Sequence, residues 1–195
     1  MLYYADFDNN GSIDPFFTYY IQGESYPFVS RDELNEQIYP MRKIFTSYAA
    51  YSTATINDIF TKEDLAKASR LQVTETRSRA FLNKNGKMIP LELPMQAQFS
   101  VVTNIIADDF NGDGKKDLLL FGNHSDNRLK LGCIDASYGC LLTGDGRGNF
   151  TYITQPQSGL DIKGDVKAAV ELKTGNTKYI IAGVCNSPMQ FYKVQ

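Results

Sequence analysis

Hydrophobic and polar positions along most of this chain form short runs with the character of β-strands. DPFFTYYI begins at Asp14 and DLLLFG begins at Asp117, and both runs are apolar or aromatic and bounded by glycine and polar residues. Short runs of this composition favour strands over helices. The pattern therefore predicts an all-β fold for most of the chain.

Residues 29–70 differ, because their pattern predicts helices. Ser30 stands before RDELNEQIYPMRKIF with a glutamate three residues further on, which is a capping box, and Pro40 is expected to kink or end this helix. Two further helix N-caps are predicted at Thr55 and Thr61. We expect this helical insertion to shield a sheet edge or pack on a neighbouring sheet, and a role in binding stays open as the alternative.

The strands repeat along the chain. VVTNIIADDF, KDLLLFGN, GCLLTGDGRGNF and TYITQ are four candidate strands between residues 101 and 155, which is the content of one propeller blade. The fold class predicted is thus all-β with a helical insertion, with about three four-stranded antiparallel blades forming a partial β-propeller. The blades span residues 1–28 with 71–98, residues 99–158, and residues 159–195, the last one incomplete.

The first and third blades are predicted from the same strand order. In the first blade, RAFLNKNGKM and IPLELP supply the third and fourth strands, so the insertion falls between the second and third strands. In the third blade, DVKAAVEL, KYIIAGVCN and MQFYKV supply three strands.

Residues 6–14 and 109–117 share an unusual layout, D-x-[DN]-x-[DN]-G-x-x-D. A calcium ion needs about six to eight oxygen ligands at roughly 2.3–2.6 Å, and alternate positions of such a loop point oxygens inward. Gly11 and Gly114 permit the sharp turn. The predicted calcium ligands are the side chains of Asp6, Asp8, Asn10 and Asp14 with the carbonyl of Ser12, and those of Asp109, Asn111, Asp113 and Asp117 with the carbonyl of Lys115.

The residues after each loop exclude a helix-loop-helix calcium site. That site requires a bidentate glutamate at position 12, where this chain has Phe17 and Leu120. Both loops should therefore join strands. Turns rich in Asp, Asn and Gly that hold no metal are the alternative.

Composition narrows the possible partners. The 195 residues carry a net charge of −2 with acids and bases interspersed, so nucleic acid and polybasic membrane contact are not expected. No apolar run is long enough for a membrane-spanning helix, and the first residues lack the pattern of a signal peptide. The cysteines are predicted to be buried free thiols, and they are Cys133, Cys140 and Cys185.

No catalytic constellation is predicted, and we expect that the protein is not an enzyme. His124 is the only histidine, so triads and multi-histidine metal sites all depend on it. Its turn-rich surroundings, GNHSDN, favour an exposed or capping side chain. TGDGRGN lacks the strand-to-helix setting of a phosphate loop and is interpreted as a tight strand connection.

The stretches DDFNGDGKKDLLLFGN and YGCLLTGDGRGNF resemble the FG-GAP or VCBS-type repeat, the calcium-loop blade of integrin alpha-subunit propellers. YPFVSRDEL, ATINDIF and LPMQAQFS extend the similarity to the C-terminal end of long VCBS-repeat proteins of Bacteroidetes. The resemblance implies a calcium-stabilised propeller in an exported parent protein, hence extracellular, periplasmic or at the cell surface. The chain departs from the family in having about three blades and no signal peptide, so we expect either a C-terminal part of a longer protein or an unusually short member of the family.

Three functional hypotheses follow. The first is a noncatalytic calcium-binding propeller segment that serves as a scaffold for protein or glycan ligands. The second is an accessory module or catalytic part of a calcium-dependent polysaccharide-active enzyme, and the third is a purely architectural segment of a larger propeller. Open propeller ends would also expose sheet edges, so self-association is expected.

Overall fold

The computed structural model describes residues 1–194 and divides into two compact units, Met1–Thr76 and the part from Arg77 onward. The described residues are mostly β, with several antiparallel sheets and few helices. The coarser part of the predicted fold class, a mostly β chain with antiparallel sheets and a few helices, is therefore confirmed.

The first unit is built on one antiparallel sheet. Its strands are β1 (Leu2–Ala5), β2 (Asp14–Ile21), β3 (Glu24–Pro27) and β4 (Ser69–Leu71). They are hydrogen-bonded in the order β3-β2-β1-β4 and form the first sheet. Along β2, the buried residues Asp14, Phe16 and Thr18 alternate with exposed ones, as expected for a sheet with one covered face.

The helices of the first unit cover that face. They are α1 (Arg31–Gln37), a 3-10 helix (Tyr39–Lys43), α2 (Tyr48–Tyr51), α3 (Ile56–Ile59) and α4 (Lys62–Lys67). Capping boxes are present at Ser30, Thr55 and Thr61, and α1 ends at Gln37, before Pro40, so the predicted helix boundaries are confirmed. The core that joins the helices to the sheet consists of Phe16, Leu34, Ile38, Met41, Phe45, Ala54, Ile56, Ile59 and Phe60.

The strand membership of the first sheet differs from the prediction. The hairpin of residues 80–91 forms a two-stranded sheet of its own. β3 takes the place expected for the third strand, next to β2, whereas β4 pairs with β1 at the opposite edge of the sheet. The insertion consequently lies between the third and fourth strands of the sheet. β3 follows β2 through the tight turn Gln22–Gly23, both at positive φ, and β3 and β4 are too short and too polar to give a strand pattern.

The second unit contains the remaining strands. They are β5 (Ala80–Lys84), β6 (Lys87–Leu91), β7 (Val102–Asp108), β8 (Asp117–Gly122), β9 (Cys140–Gly144), β10 (Phe150–Ile153), β11 (Val166–Thr174), β12 (Thr177–Val184) and β13 (Gln190–Val194). A 3-10 helix spans Met95–Gln98 and α5 spans Gln155–Ser158. The second sheet has the strand order β10-β9-β8-β7, and the third sheet has the order β11-β12-β13. The predictions of four strands between residues 101 and 155 and of three strands after them are therefore confirmed.

The second and third sheets pack face to face. Leu119 and Phe121 of β8 share a core with Ile180 and Ala182 of β12. The opposite face of the second sheet contacts the segment before it, where Ala97 packs against Leu120, Cys140 and Leu142. β8 and β9 are thus covered on both faces, which explains the nearly continuous apolar run in β8. The edge strand β7 has alternate residues exposed.

The cysteines are free, but the prediction that they are buried is right only for Cys140. Cys133 and Cys185 are exposed, because both lie in polar connections outside the strands. Among the described residues, no helix has both the length and the apolar character to cross a membrane.

Candidate metal sites

The two predicted calcium loops occupy equivalent places in their sheets. Residues 6–14, the first loop, connect β1 to β2, and residues 109–117, the second loop, connect β7 to β8. The residue before the first loop, Ala5, pairs with the last residue of that loop, Asp14. In the same way Asp108 pairs with Asp117 at the second loop. Each loop therefore bridges two antiparallel strands in the same register, and the expectation that the loops join strands is confirmed.

Position 1 of each loop organises the turn through the backbone. The carboxylate of Asp6 accepts hydrogen bonds from the amides of Asn10 (3.0 Å) and Gly11 (2.8 Å). Asp109 accepts the equivalent bonds from Asp113 (3.2 Å) and Gly114 (2.8 Å). Both glycines have positive φ, +87° and +80°, so they provide the turn for which the motif needs glycine.

The remaining positions repeat the same pattern. The position 9 carboxylates, Asp14 and Asp117, accept from the amide at position 2, at 3.0 and 2.9 Å. The side chain at position 3 accepts a hydrogen bond from the backbone amide at position 5, with a length of 3.3 Å in the first loop and 3.0 Å in the second. The side chain at position 5 accepts one from the backbone amide at position 7, with lengths of 2.8 and 2.9 Å. Five hydrogen bonds therefore coincide in the two loops, although 103 residues separate them in sequence.

In the first loop the carboxylates of Asp6, Asp8 and Asp14 converge. One oxygen of each lies within 4.8 Å of the other two. Asp14 is only 4% exposed, and its burial, followed by repulsion from Asp8 and Asp6, raises its pKa above the ordinary value. A cation among these oxygens would neutralise their repulsion and favour the ionised form of Asp14.

The acidic side chains of the second loop are arranged differently. Its carboxylates stand at positions 1, 5 and 9, because position 3 is Asn111, and among residues 1–194 they do not form a comparable triad. Asp113 pairs with the Lys115 ammonium at 3.5 Å. The backbone amide of Gly114 is the main cause of a lowered pKa at Asp109, so this carboxylate is stabilised as an anion.

Lysines surround the second loop on the outside. Asp108, just before the loop, forms ion pairs with Lys116 (3.2 Å) and with Lys178 of β12. The hydrogen bond from Lys178 is the main cause of the lowered pKa of Asp108. Lys178 also donates to the backbone oxygen of Asp109 at 3.4 Å. No local sequence pattern predicts this contact, since Lys178 lies about 70 residues from the loop.

Asp117 has a second structural role that the motif does not predict. Its side chain is fully buried and accepts a hydrogen bond from the amide of Gly144 at 2.9 Å. A Cβ atom at Gly144 would lie 2.2 Å from the carbonyl oxygen of Lys116. Gly144 is therefore required for the close approach of β9 to the end of the second loop.

The remaining predicted site residues lie on the loop surface. Ser12 and Lys115 occupy position 7 of the two loops and are exposed, and Asn10 is exposed at position 5. His124 lies outside both loops, is half-buried, and pairs through its backbone with Ile134.

Comparisons of the chain with models of known protein families, with curated proteins and with solved structures gave no match. The two loops are consequently interpreted from their geometry and chemistry.

Proposed function

We propose that the protein is a noncatalytic calcium-binding module whose two loops each bind one Ca²⁺. The observation that carries the proposal is the set of five hydrogen bonds common to the two loops. In the first loop the carboxylates at positions 1, 3 and 9 also converge within 4.8 Å of one another, and in both loops a glycine at positive φ closes the turn.

Calcium fits this donor set better than the other common cations. The donors are carboxylate, amide and carbonyl oxygens, which exclude metals that need sulfur or imidazole. Magnesium requires near-ideal octahedral geometry and retains several waters, whereas calcium accepts irregular arrangements of six to eight oxygens. Exposed loops of this kind in extracellular modules have dissociation constants of about 10⁻⁴–10⁻³ M.

The proposed architecture is a segment of a β-propeller. Its support is the meander order of the second and third sheets, and the face-to-face packing through Leu119, Phe121, Ile180 and Ala182. Neighbouring propeller blades pack in this manner. In this proposal calcium fixes a strand connection and is structural, and the exposed surfaces of the sheets serve as a scaffold for a protein or glycan ligand in an exported parent protein.

Calcium content tests the proposal directly. Elemental analysis after dialysis against calcium should find two equivalents in the wild type. The variants Asp6→Asn and Asp109→Asn should each bind about one equivalent of calcium fewer, since each lacks the position 1 carboxylate of one loop. Asp161→Asn is the matched control, because Asp161 is an exposed partner of Lys163 outside both loops, and it should retain two. The proposal would be overturned if the wild type bound no calcium, or if both loop variants still bound two equivalents.

The scaffold role requires a separate experiment. Glycan arrays and pull-downs with the intact protein, in calcium and in EDTA, should identify a ligand that is bound without being changed. Turnover of a polysaccharide by the intact protein would instead support a calcium-dependent enzyme and contradict the noncatalytic role.

A further inference from the structure

A cleft of about 550 Å³ lies within the second unit, between the second and third sheets. The two sheets contact each other through β11, which lies against β7 and β8. The cleft is on the other side of the sheet pair. β9 and β10 form one wall, β13 forms a second, and α5 forms a third. Its volume is within the range of about 300–1,000 Å³ that is usual for small-ligand sites.

Aliphatic side chains form the deep part of the cleft. Leu119, Leu160 and Ile180 line it and are buried. Leu141 and Ile153 extend this surface toward solvent, and the strand register places Leu119, Leu141 and Ile153 side by side across β8, β9 and β10. The row offers a continuous apolar wall to a bound molecule.

Neutral polar groups surround the opening. They are the side chains of Asn111, Thr143, Gln157 and Ser158. Among the residues that the structure describes, no carboxylate lines the cleft. Lys193 also contributes to the lining, but alternation along β13 directs its side chain away from the face that carries Tyr192 and Val194. The cleft therefore offers hydrogen bonds to a ligand without a charged partner.

The walls are held in place by the fold. β9 and β10 are paired in register along their length, and α5 begins with a capping box at Thr154 and ends at Gly159 with φ of 70°. Protein interiors are otherwise close-packed, and apolar walls without contacts lose dispersion energy. Transfer of an apolar chain from water onto these aliphatic walls would be driven by the hydrophobic effect.

We propose that this cleft binds an uncharged amphiphile, with an alkyl or acyl chain on the aliphatic wall and a hydroxyl or amide group at the polar opening. The inference concerns the calcium-free protein, because Asn111 at the opening is also a proposed calcium ligand, so alcohol binding is measured in EDTA. A charged head group would lose its hydration without gaining an ionic partner, so the site should discriminate by charge as well as by chain length.

A series of alcohols tests the chain-length requirement on the wild-type protein. Binding of 1-hexanol, 1-octanol and 1-decanol is followed by NMR of methyl groups. Affinity should rise about fourfold per methylene group while the chain is still being buried, and the rise should stop when the cleft is full. The methyl signals of Leu119, Leu141 and Ile180 should shift, while those of Leu34 and Ile38 in the first unit should not.

Charged analogues test the discrimination. Octanoate and octylammonium have the same chain as 1-octanol and should bind at least about tenfold more weakly, since desolvation of either ion is uncompensated. Octanoate that binds as well as octanol would contradict the neutral character of the site.

A variant that fills the cleft locates the site. Ile153→Trp places an indole at the opening and should abolish octanol binding. Val170→Trp is the control, because Val170 lies on β11 and is 55% exposed outside the cleft, and it should bind octanol like the wild type. The alcohol series on the wild type decides the matter if Ile153→Trp does not fold.

Three further results would overturn the inference. One is no saturable binding of any alcohol to the wild type, and another is undiminished binding by a folded Ile153→Trp. The third is a wild-type dimer, seen by sedimentation, that Ile153→Trp dissociates, because a second copy of the chain would then occupy the cleft.

Discussion

At the scale of single residues, Asn123 connects three segments of the second unit. It is 1% exposed, and its side-chain amide donates to the carbonyls of Ser137 (2.7 Å) and Gly164 (3.1 Å) and accepts from the Ser137 amide (3.0 Å). Asn123→Ala should lower the free energy of unfolding by about 2–4 kcal/mol, because it removes these bonds and leaves buried groups unpaired. Urea unfolding measures the change.

The backbone conformation of Asn123 allows alanine and glycine to be compared at this position. Its φ of 82° lies in the left-handed region, which alanine tolerates less well than asparagine or glycine. Asn123→Gly should therefore be less destabilising than Asn123→Ala by about 1 kcal/mol. Equal stability of Asn123→Ala and the wild type would show that the hydrogen bonds of Asn123 contribute nothing.

Asp165 should make the stability of the protein sensitive to acid. It is 7% exposed, and hydrogen bonds from the amide (2.8 Å) and hydroxyl (2.7 Å) of Ser125 lower its pKa. A carboxyl group whose pKa is lower in the folded state stabilises the fold above its unfolded pKa of about 3.9, and the contribution is lost as pH falls through the folded pKa.

Urea unfolding between pH 7 and pH 3 measures this dependence. Asp165→Asn should be less stable than the wild type at pH 7 and should lose less stability on acidification. Asp161→Asn, at an exposed position paired with Lys163, should change the free energy of unfolding by less than about 0.5 kcal/mol at pH 7. The same pH profile for Asp165→Asn and the wild type would contradict the assignment.

At the scale of elements, the approach of β9 to the second loop depends on Gly144. Gly144→Ala should destabilise the protein by about 1–3 kcal/mol and weaken calcium binding at the second loop, since the added Cβ separates the Gly144 amide from Asp117. Gly183→Ala in β12 is the control, because its nearest neighbour would be the Ala168 carbonyl oxygen at an ordinary 3.6 Å. Equal effects of the two substitutions on unfolding and on calcium titration would exclude this role for Gly144.

Elements with strong local signals could be predicted from the sequence. The helix N-caps and the strands β7 to β13 depend on patterns within a few residues, as does the hydrogen bonding inside each loop. The two-stranded β5–β6 sheet could not be separated from the first sheet, because pairing between distant strands leaves no local pattern. The contacts of Asp117 with Gly144 and of Asp108 with Lys178 were missed for the same reason.

At the scale of the whole molecule, one face of the first sheet is rich in exposed apolar side chains. Phe17, Tyr19 and Leu71 are 53%, 45% and 60% exposed. Contiguous apolar surface of this kind favours association, so light scattering should show a mass that grows with concentration. The double variant Phe17→Ser and Leu71→Ser should reduce it. A wild-type monomer at high concentration that binds no hydrophobic dye would contradict this prediction.

The thermal unfolding midpoint, measured in calcium and in EDTA, shows whether the two loops bind calcium and whether the fold depends on it. A tenfold excess of calcium over Kd should add about 1.4 kcal/mol per site, which raises the midpoint by several degrees. The double variant Asp6→Asn and Asp109→Asn should lose this response while the Asp161→Asn control keeps it. The wild type should unfold at a higher temperature in calcium than in EDTA, and equal midpoints in the two conditions would show that the fold does not depend on calcium.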